Sequence, residues 1–271
     1  MMVASRAGDR GTVVLTGATS GIGLATARRL AATTDRLIVQ GPETRSSVDA
    51  TLRLIRDSGS AELTYVECDF TNLRAVARAA DTIAQFGPID ALVNNAGIPG
   101  AASRRTTPDG HERTLQVNYL AMVLLTERLR PGLQYGARIV NLASATHTMA
   151  QLTLDDIELT REYSAVRAYA RSKLAIVMYT RWMARRAGSG ATAVSIQPGV
   201  INTELLGAMF GSIGGSVEIG AQSILTALSA PATSGEYFDE GQQAVPSPEA
   251  RDDDLGDKLM RWTFSTLRDF V

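Results

Sequence analysis

Residues 16–23 read T-G-A-T-S-G-I-G and stand between a short apolar run and a helical pattern. The glycines in this stretch allow a tight turn and let the backbone approach a bound group closely. A helix that begins near Ile22 would direct its N-terminal amides at an anion in that turn. The strand–loop–helix placement therefore predicts a pyrophosphate cradle, and a plain glycine-rich turn is the alternative. The predicted cradle residues are Gly17, Thr19, Ser20, Gly21, Ile22 and Gly23.

Short apolar runs alternate with longer helical patterns along the chain. The predicted strands are Thr12–Leu15, Arg36–Val39, Leu63–Glu67, Ala91–Val93, Arg138–Leu142 and Ala193–Ile196. The predicted helices are Ile22–Ala32, Ser46–Asp57, Leu73–Phe86, Gly110–Arg130, Tyr163–Arg186 and Val217–Leu228, with an amphipathic helix after Glu249. Because the runs are rich in Val, Ile and Leu and lack alternation, both sheet faces should be covered. The pattern predicts an α/β fold with a doubly wound parallel sheet and helices on both faces.

The length of 271 residues suits one domain. We expect residues 1–11 to form a flexible leader and residues 12–271 to form a single dinucleotide-binding domain. Residues 146–162 and 202–216 follow predicted strands and show no clear hydrophobic periodicity. Loops in this position bind ligands in such sheets, so both should border a substrate pocket. Their apolar side chains predict an apolar or aromatic substrate, unless they pack against the sheet or a partner subunit. These side chains are Met149, Leu152, Leu205, Leu206, Met209 and Phe210.

Composition excludes several classes of function. The net charge of −1 and the pI near 6.2 offer no basic excess for nucleic acid. Cys68 is the only cysteine and ends a predicted strand, which indicates a buried, inert thiol. His111 and His147 lack zinc-ligand spacing, so we expect no metal. The sequence contains neither a long apolar run nor the apolar core of a signal peptide, which predicts a cytoplasmic protein without a membrane partner.

Small and polar residues stand at the ends of later predicted strands, where such sheets bind ligands. Asp69 follows the third strand and is placed to accept from an adenine amino group; helix capping is the alternative. N-N-A-G ends the fourth strand, and P-G-V follows the sixth. The predicted dinucleotide contacts in these segments are Asp69, Phe70, Asn95, Ala96, Gly97, Pro198, Gly199, Val200 and Thr203.

Tyr169 and Lys173 lie four residues apart, so on a helix they share one face. A nearby cation favours the phenolate and should bring the pKa of Tyr169 down toward the neutral range. Ser144 follows the fifth predicted strand, and Asn118 lies in the fourth predicted helix. The alternatives are an exposed helical pair for Tyr169 and Lys173, a turn serine for Ser144, and a structural polar residue for Asn118.

These pieces occur in one order, and with them the chain resembles the short-chain dehydrogenases/reductases, most closely the retinol-dehydrogenase-like branch. The matching stretches are T-G-A-T-S-G-I-G, C-D, N-N-A-G, Q-V-N, Y-A-R-S-K and P-G-V-I-N-T, together with D-G-H-E-R-T-L-Q-V-N-Y-L. The resemblance implies a single-domain Rossmann fold and an enzyme that interconverts a ketone or aldehyde and an alcohol by hydride transfer. It covers residues 12–240.

The same resemblance implies roles for four residues. Tyr169 would be the general acid in reduction and the base in oxidation. Lys173 would lower the pKa of that tyrosine and bond the nicotinamide ribose. Ser144 would donate to the substrate oxygen. Asn118 would hold a water that links Lys173 to solvent.

The end of the second strand bears on the choice of nicotinamide. It reads L-I-V-Q-G-P-E-T-R, so Gly41 stands where an NAD enzyme has an acid that repels a 2′-phosphate. Arg45 is close enough in sequence to reach that phosphate, although the branch carries its arginine at about Pro42. We predict NADP(H). NAD(H) is the alternative. If the alignment of this strand end shifted by one register, Glu43 would be the acid that accepts from the ribose 2′-hydroxyl.

Other readings of the chain stay open at this stage. A non-catalytic dinucleotide sensor would use the same fold, and an epimerase or dehydratase would be an extended relative. The resemblance also implies a possible homodimer or homotetramer formed through residues 110–130 and 163–186. His147 is either a surface loop histidine or a substrate contact.

Overall fold

We describe the fold from a computed structural model, for residues 11–186, 190–203, 205, 207, 208, 211 and 214–271. The predicted leader, apart from Gly11, lies outside these residues. One sheet orders its strands as β3-β2-β1-β4-β5-β6-β7-β8, parallel except for the antiparallel pair β7–β8. The strands are β1 Thr12–Thr16, β2 Arg36–Gly41, β3 Glu62–Glu67, β4 Ile89–Asn94, β5 Leu133–Leu142, β6 Thr192–Gln197, β7 Tyr237–Asp239 and β8 Gln242–Ala244.

Helices cover both faces of this sheet, as the sequence predicted. The helices are α1 Gly21–Ala31, α2 Asp49–Arg56, α3 Leu73–Ala84, α4 Arg113–Leu115, α5 Ala121–Leu129, α6 Ala165–Arg185, α7 Val217–Ser229 and α8 Asp253–Leu267. One apolar cluster packs α1, α2 and α7 on one face, and a second packs α3, α5, α6 and α8 on the other. The predicted doubly wound α/β fold is confirmed.

The sheet is two strands wider than predicted. Strands β7 and β8 have three residues each and expose part of their length, so they lack the apolar runs of the central strands. Glu240 and Gly241 both have positive φ, 49° and 83°, and form the two-residue connection between these strands. The E-G pair after a short aromatic run was the available sequence signal for this hairpin.

The predicted helix Gly110–Arg130 is not one regular helix. Gly110 lies in a turn with φ 92°, and α4 begins only at Arg113. Glu112 caps it, because its carboxylate accepts from the backbone N–H groups of Thr114 and Leu115. A π-helical turn, Gln116–Leu120, then separates α4 from α5. Such turns are frequent at functional sites.

The C-terminal helix α8 covers α5 and α6. The hydroxyls of Tyr119 and Thr263 are 2.7 Å apart in the buried interface. The rings of Trp182 and Phe264 lie 5.3 Å apart beside them. At the rim, Arg185 binds Asp257 at 2.7 Å. Helix α8 is thus part of the domain core, and it hides the face that α5 and α6 would otherwise expose.

The buried hydroxyl pair gives a test of this packing. In Thr263→Val the Tyr119 hydroxyl keeps only the Met260 sulfur, a weak acceptor at 3.9 Å, which should destabilise the fold by about 1–3 kcal/mol. In Tyr119→Phe the Thr263 hydroxyl still bonds the Leu259 carbonyl, so the loss should be smaller. The double variant should be more stable than the sum of the two losses predicts. Urea unfolding measures all three, and strict additivity would contradict the described pair.

Candidate active site

The predicted ligand-binding segments meet at the carboxyl edge of the sheet. The glycine loop follows β1, the segment at Asn95 follows β4, Ser144 follows β5 and Gly199 follows β6. Their convergence is the geometry that parallel strands impose, because each strand delivers its following loop to the same edge.

The glycine loop has the bare backbone that a dinucleotide pyrophosphate needs. Gly17 and Gly21 have φ values of +65° and +52°, which side chains other than glycine rarely adopt. A β-carbon at Gly17 would lie 2.7 Å from the Ala96 Cα, and one at Gly23 would collide with the Gly17 carbonyl. Helix α1 starts at Gly21, so its free amides face the loop. The glycines and the free amides of this loop therefore fit the pyrophosphate of a dinucleotide.

Asn95 fastens this loop to the end of β4. Its side-chain amide donates to the carbonyls of Thr16 and Gly17 at 2.8 and 3.0 Å. In return, the Thr16 hydroxyl accepts from the backbone N–H groups of Asn95 and Ala96, each at 3.0 Å. The side chain of Asn95 thus shapes the cradle, and the backbone of Ala96 lies against Gly17.

The loop after β6 reaches across to the glycine loop. Gly199 has φ +107°, and its N–H donates to the Gln197 side chain at 2.8 Å. A β-carbon at Gly21 would lie 3.6 Å from the Thr203 Cγ2. Val200 is half exposed at this edge. The structure thus brings the predicted residue Thr203 to the predicted cradle, whereas Gly199 and Val200 lie earlier in the same loop.

The apolar residues predicted in the two substrate loops are only partly described. Leu206, Met209 and Phe210 lie outside the described residues. Leu152 is buried, so it packs into the core, which is the alternative considered for it. Met149 is 67% exposed and remains available to a ligand.

Tyr169 and Lys173 lie on the inner side of α6, which Ser164 caps by accepting from the Arg167 N–H at 3.2 Å. They are only 8% and 3% exposed, so the exposed helical pair is ruled out. The Lys173 Nζ donates to the Leu142 carbonyl at 2.8 Å and lies 5.5 Å from the centre of the Tyr169 ring.

The Ser144 side chain lies beside the Tyr169 hydroxyl, close enough for hydrogen bonding to lower the pKa of the phenol. Ser144 also accepts from the Thr146 N–H at 3.3 Å, so it is a turn serine and a partner of Tyr169 at once. The structure therefore brings Ser144, Tyr169 and Lys173 together as predicted.

The predicted effect of Lys173 on the tyrosine is wrong for this structure. Burial raises the pKa of Tyr169 to about 12, and only the Ser144 hydrogen bond acts against that rise. Burial also lowers the pKa of Lys173 to about 7. Both shifts have one cause, because desolvation disfavours the charged form of either group. Near neutral pH, the Tyr169 phenol is therefore protonated, and the buried Lys173 amine beside it is close to its own pKa.

Asn118 lies in the π-helical turn and is fully buried. Its side-chain oxygen accepts from the Ile98 N–H at 2.8 Å, and its nitrogen donates to the Ile98 carbonyl and to the Ser172 hydroxyl, both at 3.0 Å. A β-carbon at Gly97 would lie 3.4 Å from the Asn118 oxygen and 3.5 Å from the Lys173 Nζ. Asn118 thus holds the segment that borders Lys173, and its water-binding role stays a prediction.

At the end of β2, a side chain from further along the chain occupies the space beside Gly41. The Glu43 carboxylate accepts from the Thr19 hydroxyl at 3.2 Å, and a β-carbon at Gly41 would lie 2.7 Å from its other oxygen. The Tyr65 hydroxyl donates to the Glu43 carbonyl at 2.6 Å and holds this turn. Arg45 is exposed nearby in sequence.

The two residues predicted as cofactor contacts after β3 differ in burial. Asp69 is exposed and accepts from the Thr71 N–H at 2.8 Å, while Asn72 caps α3. Phe70 was predicted as a cofactor contact, but its side chain is buried in the core and its carbonyl accepts from Gln116 at 3.2 Å. Cys68 is buried, and burial raises the pKa of its thiol to about 12, as expected for an inert cysteine.

Sequence reasoning missed Arg171, which stabilises the predicted substrate loop. Although it is buried in α6, its guanidinium donates to the Asp156 carbonyl and, at 3.4 Å, to the Thr153 hydroxyl. Burial lowers the pKa of Arg171. An arginine inside an otherwise buried helical stretch was the sequence signal that marked it.

The buried amine predicts a characteristic pH dependence of stability. The pKa of Lys173 is about 7 in the folded chain and 10.5 ordinarily, so between these values the unfolded chain binds more protons and stability rises with pH. The natural protein must release a proton from Lys173 on folding in this pH range, which costs stability, and Lys173→Met removes that cost. Its stability advantage over the natural protein should shrink by roughly 1.4 kcal/mol per pH unit across that window. Chemical unfolding at several pH values measures it, with the exposed Lys258→Met as control; an advantage independent of pH would contradict the prediction.

The chain matches known proteins over most of its length. A family model described as short chain dehydrogenase matches residues 11–211. The chain is 34% identical to retinol dehydrogenase 13 of Homo sapiens over 271 residues, which cover 92% of this chain and 82% of that protein. A solved structure from Mycobacterium paratuberculosis has a TM-score of 0.81 at 30% identity, covering 95% of this chain and 93% of its own.

A second solved structure is a short chain dehydrogenase from Burkholderia cenocepacia J2315 in complex with NADP. It has a TM-score of 0.67 at 26% identity and covers 87% of this chain and 97% of its own.

Proposed function

Because the chain belongs to the short-chain dehydrogenases/reductases, in their retinol-dehydrogenase-like branch, we propose that it interconverts a ketone or aldehyde and an alcohol, with Tyr169 as the proton-transferring residue. The coarser activity, an NAD(P)-dependent oxidoreductase, follows from the family. One observation carries the finer proposal: Ser144 and Lys173 lie beside Tyr169, and Lys173 borders Gly97, next to the segment that packs on the glycine cradle.

Tyr169, Ser144 and Lys173 have different roles in the proposed reaction. When bound in the cradle, a nicotinamide supplies or accepts the hydride. Tyr169 holds a proton at neutral pH, which suits the acid that protonates a carbonyl oxygen during reduction. Ser144 donates to the same oxygen and stabilises its developing negative charge. Lys173, whose Nζ lies 5.5 Å from the centre of the phenol ring, places a positive charge near Tyr169 when the amine is protonated.

An apolar substrate is supported by the mouth of the site. Met149 and Val200 expose their side chains at the loops that follow β5 and β6. Exposed apolar groups around a polar centre favour ligands that bury hydrocarbon surface while one oxygen meets the polar residues. The name of the human relative, a retinol dehydrogenase, supports the same substrate class.

Tyr169→Phe is the variant that tests the proposal. We expect a drop in turnover of at least about 100-fold on any carbonyl that the natural protein reduces, because the proton donor is lost. Dinucleotide affinity, measured by fluorescence quenching, should stay within a factor of about 3, since the cradle is intact. Tyr135→Phe is the matched control, because Tyr135 is exposed.

Three outcomes would contradict the proposal. Unchanged turnover in Tyr169→Phe would remove the tyrosine from the reaction. Dinucleotide binding without turnover of any carbonyl or alcohol in a broad panel would favour a sensor. Substrate conversion without any net change in nicotinamide absorbance would favour an epimerase or dehydratase.

For the cofactor, we propose NADP(H). Gly41 offers no acid of its own at the end of β2, and Arg45 follows four residues later. The Burkholderia cenocepacia relative, solved with NADP, supports this choice. NAD(H) is the second candidate, and one observation favours it: the Glu43 carboxylate lies beside Gly41 and accepts from Thr19.

Glu43→Gln separates the two cofactors. If NADP(H) is the partner, removing the negative charge should lower the KM for NADPH by about 3- to 10-fold and leave that for NADH nearly unchanged. Arg45→Ala should raise the KM for NADPH. Glu67→Gln, an exposed acid at the end of β3, controls for a general change of charge. A natural preference for NADH that Glu43→Gln abolishes would reverse the assignment.

For assembly, we propose a homodimer or homotetramer as the family resemblance implies, formed without the outer face of α5 and α6, which points away from the sheet. Helix α8 covers that face within the same chain, through Tyr119, Thr263, Trp182 and Phe264. Light scattering after size-exclusion chromatography measures the mass in solution.

A further inference from the structure

His147 is a buried histidine three residues after Ser144. It is 1% exposed, so it is neither the surface histidine nor the substrate contact that the sequence allowed. Its Nδ1 lies 2.8 Å from the Ser144 carbonyl oxygen, and its Nε2 lies 3.2 Å from the Ser247 backbone nitrogen. The Tyr237 ring packs against it, with the centroids 5.1 Å apart.

These two contacts assign one neutral tautomer to the ring. A carbonyl oxygen only accepts, so Nδ1 must carry the proton that it donates to Ser144. A backbone N–H only donates, so Nε2 must present its lone pair to Ser247. Burial lowers the pKa of His147, in agreement with a neutral ring. The imidazole thus bridges the Ser144 turn and the C-terminal residues with both nitrogens engaged.

A second bond ties the same two segments. The Glu249 carboxylate accepts from the Leu152 backbone N–H at 2.8 Å. The Ser247 hydroxyl accepts from the Ala250 N–H at 3.2 Å and so stiffens the C-terminal side of the bridge. Ser144 therefore stands at the start of a segment, 144–152, that residues 247–250 hold at two points.

We propose that His147 is a positioning residue for the reaction: its Nδ1–H bond to the Ser144 carbonyl orients the Ser144 hydroxyl toward Tyr169, and the Ser247 bond holds the imidazole in place. The proposal rests on the proposed function, because it assigns His147 to the alignment of the same serine. Small errors in the placement of a hydrogen-bond donor cost large factors in rate. The bridge thus makes the C-terminal segment part of the catalytic apparatus without contact with substrate.

Three substitutions separate positioning from simple packing. In His147→Asn the side-chain nitrogen occupies nearly the place of Nδ1, so the bond to Ser144 survives and turnover should stay within a factor of about 3. In His147→Gln the amide reaches toward Ser247 and abandons Ser144. In His147→Leu both side-chain bonds are lost, and the Ser144 carbonyl keeps only the backbone N–H of residue 147, at 3.1 Å. The last two should lose about 10- to 100-fold in kcat, with the KM for the dinucleotide unchanged.

A double-variant cycle with Ser144→Ala identifies the route of the effect. If His147 acts through Ser144, then His147→Leu should cost little further turnover once the serine hydroxyl is gone. Full additivity of the two losses would overturn the proposal. So would equal losses in His147→Asn and His147→Leu, or losses that thermal unfolding traces entirely to a smaller folded fraction.

An activity-independent measurement completes the test. The chain has only two histidines, so ¹⁵N-histidine NMR gives two ring systems, and His111→Asn assigns them. At neutral pH, His147 should show the Nδ1–H tautomer, and the Nε2–H tautomer or a charged ring would overturn the proposal. This result does not depend on turnover. If the bridge is present and no carbonyl is reduced, the proposed function fails instead.

Discussion

The hydrogen bond from the Lys173 Nζ to the Leu142 carbonyl is the contact on which the site depends. It joins α6 to the end of β5 at 2.8 Å, inside the core. A charged ammonium in this place would lose most of its hydration, so the fold holds the amine with a lowered pKa. Because the same helix carries Tyr169 and the same strand leads to Ser144, this bond sets the distance between acid and serine.

Buried polar side chains hold the layers beneath that contact. The Asn94 amide donates to Thr126 at 2.9 Å and to Asn141 at 2.8 Å, and the Asn141 amide donates to Thr180 at 2.9 Å. These bonds link β4 and β5 to α5 and α6. Apolar packing alone permits small shifts of a helix along a sheet, whereas directional bonds select one position. The network thereby fixes the position of α6, and with it Tyr169, relative to the carboxyl ends of the strands.

The sequence predicted the parts of the site that local chemistry dictates. The glycine spacing, the order of the strand ends and the Tyr169–Lys173 spacing all depend on short stretches. They predicted the cradle, the edge of the sheet and the partners of the phenol. The fold class followed from six apolar runs, since central parallel strands leave little room for polar residues.

Features set by distant parts of the chain were not predictable in this way. Phe70 belongs to the core because α3 and the π-helical turn close over it, and no local pattern reports that. His147 depends on Ser247, one hundred residues later. The direction of the Tyr169 pKa shift was wrong because sequence spacing reports the distance between two groups, whereas burial decides their charge. Glu43 reaches the space beside Gly41 only through a turn that Tyr65 holds.

The charge state of the buried amine is the central claim, and lysine NMR measures it directly. The chain has only two lysines, so ¹³C labelling of the lysine ε-carbons yields two signals, and Lys258→Met assigns them. In the protein without bound dinucleotide, the Lys173 signal should titrate with a pKa near 7. A Lys173 signal that stays in its charged form up to the ordinary value of 10.5 would contradict the account, since the amine would then be an ammonium throughout the neutral range.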